Sequence, residues 1–204
     1  MGAVDKFEND LFEKYPRIME SLRISLTEAR FMHTLGVAFT AASLGMRYGV
    51  DVEDCLMAGL LHDCAKCQSA EENIELMESH GVEVSDVQRE NTKLLHAGAG
   101  AVMAREKFGI EDEGILNAIR LHTTGDSDMT ILEKIVYIAD YIEPFRDTVE
   151  NLSEIRKLAF TDIDGCLVKI MSQTVGYLKK LGVKTDIATM RAYEYYSSRA
   201  NENN

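Results

Sequence analysis

The 204-residue sequence contains no tryptophan, only two prolines and only four cysteines. Scarce proline leaves few breaks in regular structure and, with abundant Leu, Met, Ala, Glu and Lys, favours helices. No apolar run approaches the roughly 20 residues that span a bilayer. The opening residues MGAVDKFEND lack the basic and apolar regions of a signal peptide. We therefore expect a cytoplasmic protein with reduced cysteines and no membrane partner.

Positive charge is also in short supply. The chain has 22 Lys and Arg against 34 Asp and Glu, a formal net charge of -12. Such a surface repels nucleic acid and anionic lipid, so we expect no nucleic-acid partner. An anionic substrate would need a local positive site, built from a metal or a few basic side chains. The 46% hydrophobic content is typical of a globular protein with a sizeable core.

Apolar residues recur with helical spacing along most of the chain. Thr27 is placed to cap a long helix that stops at Gly49. Another helix runs from about Thr130 and stops before Pro144, and about Ser153 to Leu181 is helical with a possible break. These patterns predict one all-α domain of roughly nine or ten helices.

Four of the five histidines stand in apolar helical surroundings or at helix ends. A single histidine in such a place is more often a core residue with one hydrogen-bond partner. Four such histidines in one chain make the interpretation as core residues much weaker. The fifth histidine, His80, stands in a polar turn and is expected at the surface. The four candidates are His33, His62, His96 and His122.

Two carboxylates strengthen the indication of a metal site. Asp63 directly follows His62, so both side chains can reach one cation. Asp140 lies inside the apolar stretch ILEKIVYIADYI, where a carboxylate is costly unless a cation neutralises it. An exposed helix stripe or a backbone cap remains the alternative for Asp140. Mixed imidazole and carboxylate donors suit iron, manganese or zinc better than magnesium or calcium.

Five segments occur in a fixed order along the chain: RFMHTLGVA, AGLLHDCAK, LLHAGAGA, LHTTGD and YIADYIEPFR. With them the sequence resembles the HD superfamily of metal-dependent phosphohydrolases and, more narrowly, the YqeK family of symmetrical bis(5′-nucleosyl)-tetraphosphate hydrolases. The resemblance covers about residues 15–196. It implies an HD-domain helical bundle over residues 1–204. Residues 14–142 would form the HD core, and C-terminal helices in 143–204 would complete a nucleotide pocket.

The resemblance also implies the chemistry. Metal-activated water would split diadenosine tetraphosphate into two ADP, using one or two ions, of which iron is the first choice and manganese or zinc the alternatives. Asp63 would orient or deprotonate the nucleophile and, if a second ion is present, bridge the two ions. His96 and His122 would bind that second ion, or would instead contact the phosphates or the leaving group. The implied core ligands are His33, His62, Asp63 and Asp140.

Several side chains are candidates for holding the phosphates. Arg30 precedes His33 by three positions and shares its helix face. Lys66 follows the His-Asp pair by one helical turn, and a cation there would stabilise the transition state. The remaining candidates are His96, His122, Thr123, Thr124 and Arg146. The family usually has Arg-Asn where this chain has Arg191-Ala192, so base-contacting residues stay open.

Two other motifs suggest different chemistry. Cys64 and Cys67 form a CxxC pair, but no βαβ pattern or second cysteine pair accompanies it, and the roles of both thiols stay open. The segment FTDIDG imitates the nucleophile motif of haloacid-dehalogenase-type phosphatases, which requires a preceding buried strand. Its flanks read as helices, so Thr161 or Asp162 is expected to cap a helix.

Other activities remain possible on the same ligand set. One alternative is an HD-type nucleotidase or phosphodiesterase for mononucleotides, cyclic nucleotides or guanosine tetraphosphate. Another is a regulatory module that binds a nucleotide without turnover. A homodimer would be compatible with any of them.

Overall fold

The computed structural model describes residues 11–147 and 149–202. Within these residues there are ten helices of seven residues or more, two shorter ones and no strand, which confirms the predicted all-α fold. The MGAVDKFEND segment lies outside them. The α-helices, in chain order, are α1 (Pro16–Ser25), α2 (Glu28–Tyr48), α3 (Val52–Leu61), α4 (Ala70–Ser79), α5 (Asp86–Glu90), α6 (Leu95–Phe108), α7 (Glu113–Leu121), α8 (Ile131–Ile142), α9 (Leu152–Thr161), α10 (Ile163–Leu181) and α11 (Ile187–Glu202). A 3₁₀ turn (Thr92–Leu94) directly precedes α6.

Local chemistry explains where the main helices begin and end. The Thr27 hydroxyl accepts the Arg30 backbone N–H at the start of α2, and the helix ends at Gly49 with φ of 72°. Because this left-handed φ is strained for side chains with a Cβ, glycine suits the position. Thr130 opens α8 with a reciprocal capping box to Glu133.

The predicted break between residues 153 and 181 occurs at Asp162, which separates α9 from α10. Its side chain accepts the Gly165 backbone N–H at 2.9 Å and caps α10. FTDIDG is therefore a helix junction, as expected. The short helix α5 was not predicted, because its five residues are too few to show helical periodicity.

The central helices pack so that their polar ends meet. Helix α2 contacts α3 and α8, while α7 contacts α3, α6 and α8. A Cβ on Gly59 of α3 would lie 2.6 Å from the Ala38 Cα of α2, so glycine permits this close crossing. Helix α8 lies between two apolar clusters, with Val136 in one and Ile135 and Ile138 in the other.

The apolar residues that fix these helices are fully buried, among them Leu60 and Ile119 beside the polar centre. Burying one such side chain stabilises a fold by about 1.5–3 kcal/mol. Throughout the described residues, every helix is too short or too polar to cross a membrane.

Candidate metal centre

Four buried imidazoles form a row at the meeting point of the central helices. His33 comes from α2, His62 follows α3, His122 follows α7, and His96 lies in the first turn of α6. Successive ring centroids along the order His33, His62, His122, His96 are 5.4, 5.0 and 5.0 Å apart. The structure thus brings together all four histidines singled out in the sequence.

In each ring, Nδ1 is the nitrogen that faces away from the centre, and it lies next to an oxygen atom. A carbonyl can only accept, so the facing Nδ1 carries the proton and Nε2 keeps its lone pair. This fixes the tautomer in which Nε2 points into the centre and is free to ligate. The carbonyl pairs, each three residues apart, are His62 with Gly59 (2.7 Å), His96 with Lys93 (2.7 Å) and His122 with Ile119 (2.7 Å).

The carboxylate of Asp63 stands between the two ends of the row and is 1% exposed. Its Oδ2 lies 3.4 Å from Nε2 of His62 and 3.8 Å from Nε2 of His33. Its Oδ1 lies 3.1 Å from Nε2 of His96 and 3.7 Å from Nε2 of His122. Each oxygen therefore faces a different pair of imidazoles.

Asp140 completes the His33 end of the row from helix α8. Its Oδ1 lies 2.9 Å from Nε2 of His33 and 3.9 Å from Nε2 of His62. Donor atoms about 2.1 Å from one ion are roughly 3.0–3.4 Å apart at right or tetrahedral angles. Two overlapping groups have all their donor atoms within 4.8 Å of one another: His33, His62 and Asp140, and His62, Asp63 and His122.

Several of these donor atoms have no hydrogen bond. Nε2 of His33, Nε2 of His62 and Oδ1 of Asp63 are buried and lack a partner with hydrogen-bond geometry among the described residues. Leaving such an atom unsatisfied costs about 1–3 kcal/mol. One or two cations at the centre would satisfy these atoms, so the donor set fits metal binding.

The three predicted cations surround the same donors. An Arg30 guanidinium nitrogen donates to Oδ2 of Asp63 at 2.8 Å, and Arg146 donates to Oδ1 of Asp140 at 2.9 Å. Nζ of Lys66 lies 3.0 Å from Nε2 of His96 and 3.6 Å from Oδ1 of Asp63. The centre thus combines potential metal ligands with a cluster of three positively charged side chains, in a protein whose net charge is negative.

Burial and neighbouring charge set the protonation states. Burial lowers the pKa of His96 to about 4, which keeps this ring neutral at pH 7. Burial also lowers the pKa of Lys66. Although burial opposes ionisation of Asp63, the surrounding imidazoles of His62, His122 and His96 hold its pKa well below the usual range. Asp63 is accordingly ionised and His96 neutral, which are the forms of these side chains that bind metals.

Glu143 is a functional residue that the sequence analysis missed. Its Oε1 lies 3.1 Å from Nδ1 of His33 in a buried position, so it replaces the carbonyl that the other histidines use. The sequence did hold a signal, since a glutamate three residues after Asp140 shares its helix face. Only the fold shows that His33 lies opposite this carboxylate.

The other predicted residues lie around the centre. Thr123 and Thr124 line a cavity of about 740 Å³ next to His122, together with the start of α11. Cys64 is buried with its thiol toward the Gly100 carbonyl, whereas Cys67 is exposed. His80 is exposed, as expected.

The chain belongs to the HD-domain family, whose model matches residues 30–144. This span contains all the proposed metal ligands together with Arg30, Lys66 and Glu143, whereas Arg146 lies two residues beyond it.

Individual proteins that are similar to this chain give a more specific comparison than the family model does. The chain is 38% identical, over 80% of its length and 87% of the relative, to a Halalkalibacterium halodurans protein named bis(5′-nucleosyl)-tetraphosphatase, symmetrical. It is 40% identical to a Bacillus subtilis protein of the same name, over 76% of this chain and 82% of that one. A crystal structure from Clostridium acetobutylicum, described as a predicted HD superfamily hydrolase involved in NAD metabolism, matches with a TM-score of 0.84 and 39% identity, covering 98% of this chain and 99% of that one. The family resemblance is confirmed.

Proposed function

We propose that this protein is a metal-dependent hydrolase that splits diadenosine tetraphosphate and related dinucleoside polyphosphates symmetrically, releasing two ADP from the former. The names of the relatives from Halalkalibacterium halodurans and Bacillus subtilis support this substrate. The observation that carries the proposal is the position of Asp63, whose two oxygens face two pairs of imidazoles beside basic side chains. Such a centre suits the cleavage of an anionic phosphate chain.

The proposed ligands divide into two sets that share Asp63. His33, His62 and Asp140 would hold the first ion with Oδ2 of Asp63, while Oδ1 faces His96 and His122 for a second. Iron is the first choice, with manganese or zinc as alternatives. When bound, the metal supplies Lewis-acid polarisation of phosphate oxygens and acidifies water.

The protein side chains supply positioning and charge. Arg30 and Arg146 now neutralise Asp63 and Asp140; with those carboxylates neutralised by an ion, the guanidinium groups can turn to the phosphates. Lys66 is placed to stabilise charge on the leaving ADP oxygen. Asp63 orients or deprotonates the attacking water.

The two imidazoles that face Oδ1 of Asp63 support the same step. Where His96 and His122 do not hold an ion, a proton on Nε2 would let each ring donate a hydrogen bond to a phosphate oxygen. Thr123 and Thr124 offer hydroxyls to the phosphate chain from the wall of the cavity of about 740 Å³.

We further propose that residues 14–142 form the HD core and residues 143–204 complete the nucleotide pocket. The cavity of about 740 Å³ supports this division, because its lining includes Lys184, Asp186, Ile187 and Ala188. We also propose that the protein is cytoplasmic and forms a homodimer.

A product assay tests the function. Protein loaded with iron, manganese or zinc is incubated with diadenosine tetraphosphate, mononucleotides, cyclic nucleotides and guanosine tetraphosphate, and the products are separated chromatographically. Release of ADP alone from diadenosine tetraphosphate is expected. AMP plus ATP would contradict symmetric cleavage, preference for another nucleotide would favour the alternative hydrolases, and binding without hydrolysis would favour a regulatory module.

A further inference from the structure

Cavities lie at both ends of the imidazole row. The larger one, about 740 Å³, is lined by Thr123 and Thr124, which follow His122, and by Ala97, which follows His96. The smaller one, about 490 Å³, adjoins the opposite end and is lined by His33, Arg30, Arg146 and Phe145, among others. A phosphate chain lying across the centre therefore has open space at each of its ends.

Phe145 gives the smaller cavity an aromatic wall. Its side chain is 57% exposed, although burial of such a ring would be favourable. Its backbone N–H donates to Oε2 of Glu143 at 2.7 Å, which anchors the residue to the metal centre. A Cβ on Gly36 would lie 3.3 Å from the ring, so the ring rests close to the α2 backbone. The aromatic group is thus held at the rim with much of its surface open to the cavity.

We infer that this cavity is a nucleoside subsite and that Phe145 stacks on one base of the substrate. The inference rests on the proposed function and specifies where half of the substrate binds. Arg30 and Arg146 line the same cavity, so they would meet the phosphates that lead from the base to the metal centre. A substrate with two nucleosides needs a second subsite, for which the larger cavity provides the space.

The stacking arrangement also determines the kind of specificity. Every nucleobase has a flat π-face, so stacking on an aromatic ring tolerates different bases. The subsite should therefore accept adenine and guanine nucleotides alike and reject phosphate chains that lack a base.

The absence of tryptophan from the chain provides a direct probe. Phe145→Trp places the only indole of the protein in the cavity, and Phe160→Trp places one at a ring that is 39% exposed on α9 as a matched control. The metal-loaded variants are titrated with ADP, GDP and inorganic pyrophosphate. We expect both nucleotides to quench Phe145→Trp saturably, with no such effect from pyrophosphate or in Phe160→Trp. Equal responses to ADP and pyrophosphate, or no saturable quenching, would overturn the inference.

Kinetics test the same contact without a fluorophore. Phe145→Ala should raise KM for diadenosine tetraphosphate about five- to a hundredfold, and Phe145→Tyr should restore it. Phe160→Ala is the control, and circular dichroism establishes that each variant is folded. An unchanged KM in folded Phe145→Ala would contradict the inference.

The two assays separate this inference from the proposed function. If ADP quenches Phe145→Trp while diadenosine tetraphosphate is not hydrolysed, the subsite stands and the proposed function fails. If hydrolysis occurs without saturable quenching, the function stands and the subsite fails.

Discussion

Oε1 of Glu143 lies 3.1 Å from Nδ1 of His33, on the opposite side of the ring from Asp140, whose Oδ1 lies 2.9 Å from Nε2. The ring is thus fixed between an outer carboxylate and the metal-facing one. Glycine at position 36 makes this possible, because a Cβ there would lie 2.5 Å from Oε2 of Glu143. Arg156 also donates to the Glu143 carbonyl at 2.7 Å and holds the segment in place. Glu143 is therefore a positioning residue for His33.

Replacing Glu143 with Ala should weaken metal affinity by about 10–100-fold, because outer carboxylates orient and polarise ligating histidines. Glu143→Gln keeps an acceptor for Nδ1 and should lose less. Gly36→Ala should resemble Glu143→Ala, since the added methyl displaces the carboxylate. Competition with a fluorescent chelator measures the affinity.

Glu75→Gln on the exposed face of α4 is the control for these variants and should bind metal normally. If Glu143→Ala bound metal as tightly as the unmodified protein while remaining folded, Glu143 would have no positioning role.

Asp63→Asn should reduce bound metal more than any other single carboxylate substitution, since both sets of imidazoles face this side chain. Asp140→Asn removes a donor from only one set. Turnover of Asp63→Asn should fall well beyond the roughly 10–100-fold typical of a residue that only orients a ligand. Elemental analysis and product assays measure both effects, with Asp54→Asn as control. Normal metal content in Asp63→Asn would refute the shared-ligand assignment.

Metal binding should stabilise the fold measurably. Free metal at a hundred times Kd adds about 2.7 kcal/mol to the free energy of unfolding. For a chain of this size each kcal/mol raises Tm by roughly 2–4 °C, so an increase of about 5–10 °C is expected. Scanning calorimetry of chelator-treated protein, with and without metal added back, measures the shift. An identical Tm in both states would mean that the centre binds no ion.

The four thiols should react at very different rates. Burial raises the pKa of Cys64, Cys55 and Cys166 to about 12, so these thiols stay protonated and shielded at pH 8. Cys67 is exposed and accessible. Mass spectrometry after brief iodoacetamide treatment of the folded protein should find label on Cys67 alone, and Cys67→Ser should remain unlabelled. Rapid labelling of Cys64 would show that its surroundings open readily.

Much of the fold could be predicted because its signals are local. Thr27, Gly49 and Asp162 act within one helical turn, so their capping roles can be inferred from neighbouring residues alone. The short helix α5 escaped prediction because five residues provide too little periodicity.

The metal-ligand candidates could be identified because imidazoles and a carboxylate in apolar surroundings are costly without a partner. The sequence spacing of these residues does not show that the imidazoles form two pairs, each of which faces one oxygen of Asp63. Which oxygen faces which ring depends on how α2, α3, α6 and α7 cross.

By itself, the sequence determined the helical class, most helix ends, the candidate donors and the nearby cations, since these follow from residue type and short-range spacing. Only the tertiary structure decided that Glu143 supports His33, a residue 110 positions away, and that Phe145 forms the rim of a cavity beside Arg30. Contacts between distant segments depend on helix crossings, which are set by many packed side chains together. The close approach of α2 and α3 at Gly59 is one such crossing, and the spacing within either helix does not contain it.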